Sequence, residues 1–231
     1  MLDVKKINLN YGSSQILFDV SIKAKKGNIT CLMGSNGVGK TSLLKFLSGI
    51  QNAKNGTYFY NNNDIFNLPS YKLAKLGIGY VPQGRDIFPL LSVKENLEIG
   101  FACLNKKNWF IPDEIFNLFP ILKKMLHRRG GDLSGGQQQQ LAIARALVAK
   151  PSLLLMDEPT EGIQPNIIKQ IGEVILYLKK EKKITIFLVE QYFDFAFNLS
   201  DYFYVMQRGT IIIEGDKEKL GKKLLKSQLS F

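Results

Sequence analysis

The sequence predicts an α/β fold in which crossover helices connect the strands of a parallel β-sheet. Three observations support this prediction: strand-length apolar segments alternate with helical ones, a glycine-rich loop joins one such strand to a helix, and every apolar run is too short to span a membrane. The 231 residues are 45% hydrophobic and 22% charged, which is typical of a globular chain with a full core. We therefore expect residues 1–231 to form a single domain.

The predicted elements follow in a strand-and-helix order. Residues 2–33 show short apolar alternations between turns, and Ile29–Met33 is a compact apolar strand. After it, apolar residues recur at helical spacing, at Leu43, Leu44, Phe46 and Leu47. Further strands are predicted at 57–60, 78–81, 152–156, 184–189, 202–206 and 210–213, and helices at 70–76, 93–101, 114–126, 134–148 and 166–178, with a basic helix at the end. The all-helical insert at 84–140 is predicted to be a subdomain.

Charge and cysteine content limit the possible partners. The formal net charge is +11, from 31 Lys and Arg against 20 Asp and Glu, which permits a nucleotide, a nucleic acid or an acidic lipid surface as partner. Two cysteines, Cys31 and Cys103, are too few for a secreted disulfide framework or a metal cluster. We expect a reducing, cytosolic compartment.

Residues 34–41 match the phosphate-binding pattern G-x4-G-K-[ST] between a strand and a helix. The backbone N–H groups of such a loop surround phosphates, and the helix N-terminus adds positive partial charge. Lys40 is expected to reach the β- and γ-phosphates and the Thr41 hydroxyl to bind Mg²⁺. The motif consists of Gly34, Ser35, Asn36, Gly37, Val38, Gly39, Lys40 and Thr41.

Two acidic residues follow a second apolar strand. Four apolar residues, 153–156, precede Asp157 and Glu158, which places both carboxylates at the carboxyl end of a parallel strand, where open α/β sheets bind ligands. Asp157 is predicted to hold the Mg²⁺ shell. Glu158 is predicted to accept a proton from the attacking water or to orient that water.

A third motif, Leu133-Ser134-Gly135-Gly136-Gln137, opens the helix predicted at 134–148. A serine hydroxyl and exposed N–H groups at a helix start form another anion site. A chain with one phosphate loop does not need a second phosphate clamp for the same nucleotide. We therefore expect Ser134, Gly135 and Gly136 to contact the nucleotide of a neighbouring subunit.

In this order, the three motifs resemble the ATP-binding cassette (ABC) ATPases, and the resemblance covers essentially the whole chain. It implies a P-loop NTPase (RecA-like) core with an N-terminal antiparallel β subdomain and an inserted helical subdomain. The implied cofactors are ATP and Mg²⁺. Two copies, or this chain and a related one, would enclose two ATP molecules head to tail.

The resemblance also implies roles for residues outside the three motifs. Tyr11 corresponds to the aromatic residue that stacks on adenine, and Ser42 to a second hydroxyl near the phosphates. Gln83 corresponds to the glutamine that contacts Mg²⁺ and senses the transmembrane partner. Residues 160–164 correspond to the loop that crosses to the other subunit.

This sequence departs from the family pattern at two positions. Gln164 stands where the crossing loop usually has aspartate, and Gln191 stands where the family has a switch histidine. Gln191 can form a hydrogen bond to the γ-phosphate or the water, but it cannot carry a proton. The only histidine, His127, precedes the Ser134 motif and is expected on the surface.

Several short sequence segments suggest a subgroup of the family. Val189-Glu190-Gln191 and Gly84-Arg85 resemble the second ATPase of branched-chain amino acid-type importers, and residues 79–89, 128–140, 160–165 and 190–196 resemble the E-type subunit of bacterial urea importers. The resemblance thus implies a urea importer subunit, bound through permeases to the cytoplasmic face of the inner membrane and served by a periplasmic binding protein. The alternatives are a branched-chain amino acid importer subunit, a soluble cassette ATPase acting on nucleic acid or ribosomes, and a regulatory module that binds ATP without hydrolysing it. No nucleic acid partner is expected.

Overall fold

Two β-sheets form the framework of the computed structural model, which describes residues 1–229. The first sheet is antiparallel, with strand order β2-β1-β4-β5, and the second has the order β10-β9-β3-β8-β7-β6. In the second sheet β3, β6, β7, β8 and β9 pair in parallel, and β10 pairs with β9 antiparallel. The strands are β1 Leu2–Tyr11, β2 Ser14–Ala24, β3 Ile29–Met33, β4 Asn55–Tyr60, β5 Asn63–Asp64, β6 Ile78–Val81, β7 Leu153–Asp157, β8 Thr185–Glu190, β9 Tyr202–Gln207 and β10 Thr210–Asp216.

Nine helices connect or flank these strands within residues 1–229. They are α1 Lys40–Leu47, α2 Ser70–Lys75, α3 Val93–Ile99, α4 Asp113–Leu118, α5 Pro120–Lys124, α6 Gly135–Val148, α7 Pro165–Lys180, α8 Phe193–Leu199 and α9 Lys217–Leu229. None of them is both long and apolar enough to cross a membrane.

The larger sheet separates two hydrophobic cores. Alternate residues of β7 enter opposite cores: Leu154 and Met156 pack with α3, α6 and α7, and Leu153 and Leu155 pack with α1 and the antiparallel sheet. Strands covered on both faces are mostly apolar: in β3 and β7 every residue is buried, and all of them except Thr30 and Asp157 are apolar. Because both faces are covered, ligands can reach these strands only at their ends.

Most predicted elements are present, including β3 and β6 at their predicted bounds. The single helix predicted at 114–126 is wrong, because Phe119 leaves the helical region (φ −131°, ψ 71°) before Pro120 and divides it into α4 and α5. The helix predicted at 93–101 ends at Ile99 and continues as a 3₁₀ turn. Strand β5 and helix α8 were not predicted, and Gly221 (φ 66°) kinks α9. The chain between β6 and β7 is mainly helical, and the subdomain boundary at 84–140 stays a prediction.

Candidate active site

The glycine-rich loop lies where β3 ends and α1 begins. Gly34 is buried against β9: a Cβ there would lie 2.4 Å from the Met206 carbonyl oxygen. Gly39 has φ 111°, and a Cβ on it would lie 2.8 Å from Leu17 Cδ2. Only glycine fits these two positions. The two glycines allow the loop to curve tightly before α1 starts at Lys40. Ser35, Asn36 and Gly37 are exposed at the mouth of the loop, and Val38 and Ser42 are half-buried.

The side chain of Lys40 extends back over the loop, and its ammonium group has three partners. Its Nζ donates to the carbonyl oxygens of Gly34 and Ser35, each at 2.9 Å, and forms an ion pair with Glu158 Oε1 at 3.3 Å. The side chain is only 3% exposed. A buried ammonium with three acceptors is a fixed point charge directly beside the anion-binding loop.

Asp157 is fully buried at the carboxyl end of β7, next to α1. Its Oδ1 lies 3.5 Å from Thr41 Oγ1, whereas its Oδ2 has no hydrogen-bond partner. Burial raises the pKa of Asp157 to about 6, and the Thr41 hydroxyl partly opposes this shift. A buried carboxylate oxygen without a donor is suited to bind a cation.

Asp157→Asn is expected to stabilise the metal-free protein at pH 8 by on the order of 2 kcal/mol. A pKa raised on folding means that the stabilising contribution of Asp157 is present below about pH 4 and is lost as the pH rises through about 6. The gain should therefore shrink towards pH 4. Urea unfolding of the wild type and of Asp157→Asn between pH 4 and pH 8 measures the difference in the free energy of unfolding. Substitution of an exposed aspartate, Asp113→Asn, is the control. A gain that does not depend on pH would contradict the prediction.

Glu158 is contacted by several of the other predicted site residues. It adopts φ 46°, an uncommon conformation for a residue with a side chain, and its N–H donates to the Val189 carbonyl of β8 at 2.9 Å. Oε1 accepts a hydrogen bond from Gln191 Nε2, and Oε2 accepts one from Gln83 Nε2 at 3.2 Å. With Lys40, the structure thus brings three predicted residues, Lys40, Gln83 and Gln191, to the carboxylate of a fourth, Glu158.

Gln191→Ala is expected to lose most of the hydrolytic activity, and Gln191→His to retain it. The side chain amide restrains Glu158 Oε1, and an imidazole N–H can replace that donor whereas a methyl group cannot. ATPase assays of the two variants with permease present would measure this. Undiminished stimulated hydrolysis in the alanine variant would show that position 191 is only structural.

The Ser134 motif lies apart from this carboxylate. Ser134 caps α6: its Oγ accepts from the Gln137 N–H, and the Gln137 side chain accepts from the Ser134 N–H. The helix start borders an open cleft of about 490 Å³, together with Gly162 and Gln164. Within residues 1–229, no hydrogen bond joins residues 134–136 to residues 34–42, and the role of Ser134, Gly135 and Gly136 across an interface stays a prediction.

Two other predicted positions are at the surface. Tyr11 ends β1 and is 42% exposed, so a flat ring is accessible there, and its contact with adenine stays a prediction. His127 is exposed, as predicted.

Sequence reasoning missed two acidic residues near Glu158. Glu161 Oε2 is a second acceptor for Gln83 Nε2, at 3.0 Å. Glu190 is almost completely buried at the end of β8, and burial raises its pKa against four hydrogen bonds that lower it. The sequence offered one signal for Glu190: it directly follows the run 184–189 and directly precedes Gln191.

The chain is similar in sequence to ATP-binding proteins of transporters. A family model described as "ABC transporter" matches residues 17–161. The high-affinity branched-chain amino acid transport ATP-binding protein BraG of Pseudomonas aeruginosa is 44% identical over 214 residues, covering 92% of this chain and 91% of BraG. The probable branched-chain amino acid transport ATP-binding protein LivF of Archaeoglobus fulgidus is 39% identical over 223 residues, covering 95% and 94%.

Solved structures confirm the predicted fold. A nucleotide-free ATP-binding cassette from an ABC transporter superposes with a TM-score of 0.87 at 31% identity, covering 98% of this chain and 95% of that one. The ADP conformation of the cassette MJ1267 superposes with a TM-score of 0.80 at 32% identity, covering 98% and 93%. The chain therefore belongs to the ABC transporter family and is one of its ATP-binding cassette ATPases.

Proposed function

We propose that this chain is the ATP-hydrolysing subunit of an importer for branched-chain amino acids. The observation that supports this substrate class is the 44% identity to BraG over nearly the full length of both chains. Neither BraG nor LivF is named for urea, so the comparisons favour the alternative of the sequence analysis over the urea importer. The substrate would be bound by permeases and a periplasmic binding protein.

The residues present fit ATP and Mg²⁺. When bound, ATP supplies the γ-phosphoryl group, and Mg²⁺ neutralises part of its charge. The loop amides and Lys40 would hold the phosphates; Thr41, Gln83 and the unpartnered Asp157 Oδ2 would hold the cation. Glu158 would orient the attacking water and accept its proton, and Gln191 would restrain that carboxylate.

Substrate uptake tests the proposal. In a strain that lacks this chain, we expect the wild-type gene to restore uptake of radiolabelled leucine, isoleucine and valine, and Lys40→Ala not to restore it. Labelled urea uptake should be the same in all strains. Restoration of urea uptake without any change in amino acid uptake would overturn the assigned substrate.

The segment 86–92 is our proposed docking site for a cytoplasmic helix of the permease. Phe88 is 46% and Leu90 79% exposed. The buried side chain of Asn96 holds the Phe88 backbone at both ends, accepting from its N–H at 2.8 Å and donating to its carbonyl at 2.9 Å. An exposed apolar segment on a fixed backbone, which begins three residues after Gln83 in the chain, suits a partner that must be sensed at the site.

A photo-crosslinking residue at Leu90 is expected to capture a permease in membranes. The same residue at Ile212, an exposed apolar position on β10, is the matched control and should capture none. Mass spectrometry of the crosslinked bands identifies the partner. A position 90 that never captures a permease would contradict the assignment. Captured permeases would also support attachment of this subunit to the cytoplasmic face of the inner membrane.

A further inference from the structure

Glu190 is a buried carboxylate to which the mechanism above gives no role. It ends β8 with 1% of its surface exposed. Within residues 1–229, no lysine or arginine forms a salt bridge with it. Burying a carboxylate without a countercharge is costly unless hydrogen bonds satisfy its oxygens. Its hydrogen-bond partners therefore indicate why glutamate is present.

The two carboxylate oxygens of Glu190 bind two different loops. Oε1 accepts from the Thr160 N–H at 3.1 Å and from the Thr160 hydroxyl at 2.7 Å. Oε2 accepts from the Gln191 N–H at 2.8 Å and from the Tyr192 N–H at 3.0 Å. One side chain thus links the loop after β7 to the loop after β8.

One of these loops contains Glu158, and the other contacts it. Thr160 lies two residues after Glu158 in the same loop, and Gln191 donates its side-chain amide to Glu158 Oε1. We infer that Glu190 is a positioning residue that couples the loop 158–164 to residues 191–192, so that the Glu158 carboxylate and its Gln191 partner are held in one arrangement. This inference rests on the proposed hydrolysis at Glu158.

The chemistry of the contacts requires a carboxylate. Four donors converge on Glu190: three backbone N–H groups, which can only donate, and the Thr160 hydroxyl. A glutamine has one acceptor oxygen, so its NH₂ group would face at least one backbone N–H on one of the two loops. Glu190→Gln should therefore preserve side-chain volume while it releases one loop from the other.

The experiment compares Glu190→Gln with a matched control, Asp201→Asn. Asp201 Oδ2 also accepts a hydrogen bond from a backbone N–H, that of Ile29 at 2.9 Å, at the end of β3 opposite to the nucleotide loop. Unlike Glu190, Asp201 is partly exposed and forms an ion pair with Lys179, so its substitution also removes a salt bridge that lies away from the site. For Glu190→Gln we expect kcat to fall about 10–100-fold, as for a misplaced catalytic group, with KM for ATP within about threefold of wild type. Asp201→Asn should leave kcat unchanged.

Hydrogen exchange supplies a readout that does not depend on hydrolysis. In Glu190→Gln, the amides of residues 160, 191 and 192 should exchange faster together, whereas in Asp201→Asn they should match the wild type. Thr160→Val should also speed exchange at 191–192. Thr160→Ser keeps the hydroxyl, so exchange there should stay at the wild-type rate. This threonine pair tests the inference even if Glu190→Gln does not fold.

Three results would overturn the inference. The first is a wild-type kcat in Glu190→Gln, and the second is unchanged exchange at both loops. The third is an equal fall of kcat in Asp201→Asn, which would show a general loss of stability. A wild-type protein that hydrolyses no ATP would instead refute the proposed function, and the exchange measurements would still decide whether Glu190 couples the two loops.

Discussion

Glu158→Gln is expected to retain ATP binding and to lose about 10²–10⁴-fold in hydrolysis rate, the range for a positioned general base. The amide keeps the shape of the side chain and can still accept from Gln83, but it cannot take a proton from water. Single-turnover hydrolysis and nucleotide binding, measured on the same preparation, separate the chemical step from affinity.

The control for this prediction is a carboxylate of the same type far from the loop. Glu173 is exposed on α7, so Glu173→Gln should hydrolyse ATP at the wild-type rate. Because Glu158 forms a buried ion pair with Lys40, the thermal midpoint of each variant must also be measured. Near-normal turnover in a folded Glu158→Gln protein would remove Glu158 from the catalytic role.

Ser134→Arg is expected to abolish ATP-driven dimerisation and hydrolysis together, while isolated monomers still bind their first ATP. Ser134 starts α6 beside an open cleft and makes no hydrogen bond to residues 34–42 of its own chain. A bulky cation at that position would block the approach of a neighbouring nucleotide. Loss of one preorganised donor to a developing charge alone costs about 10²–10³-fold in rate.

The dimer fraction is best measured in a Glu158→Gln background, in which ATP is trapped. We expect dimers with ATP when Ser134 is present and monomers when it is arginine. The exposed Ser227→Arg on α9 is the control and should still dimerise. The measurement should be made with this chain alone and with a related cassette subunit. Equal dimer fractions with and without Ser134 in both cases would refute the shared site.

Features formed by neighbouring residues could be predicted from the sequence. The loop 34–41 depends on glycines that permit a tight curve, and the apolar run before Asp157 marks a strand buried on both faces. Capping of α6 by Ser134 likewise needs only Gln137, three positions later. In each case the residues that define the feature are neighbours in the sequence, so a local pattern is enough to predict it, although Gly34 and Gly39 also lie close to Met206 and Leu17 of distant strands.

Contacts between distant segments were decided only by the tertiary structure. The parallel pairing of Asp157 with Val189 places the ends of β7 and β8 side by side, and this register alone brings Glu190 to Thr160 and Gln191 to Glu158. The residues are separated by about thirty positions, and periodicity within a strand carries no information on which strand will pair with it. In the sequence, Glu190 is only the acidic residue that follows the predicted strand 184–189, whereas in the folded chain it joins the two loops that hold the proposed catalytic base.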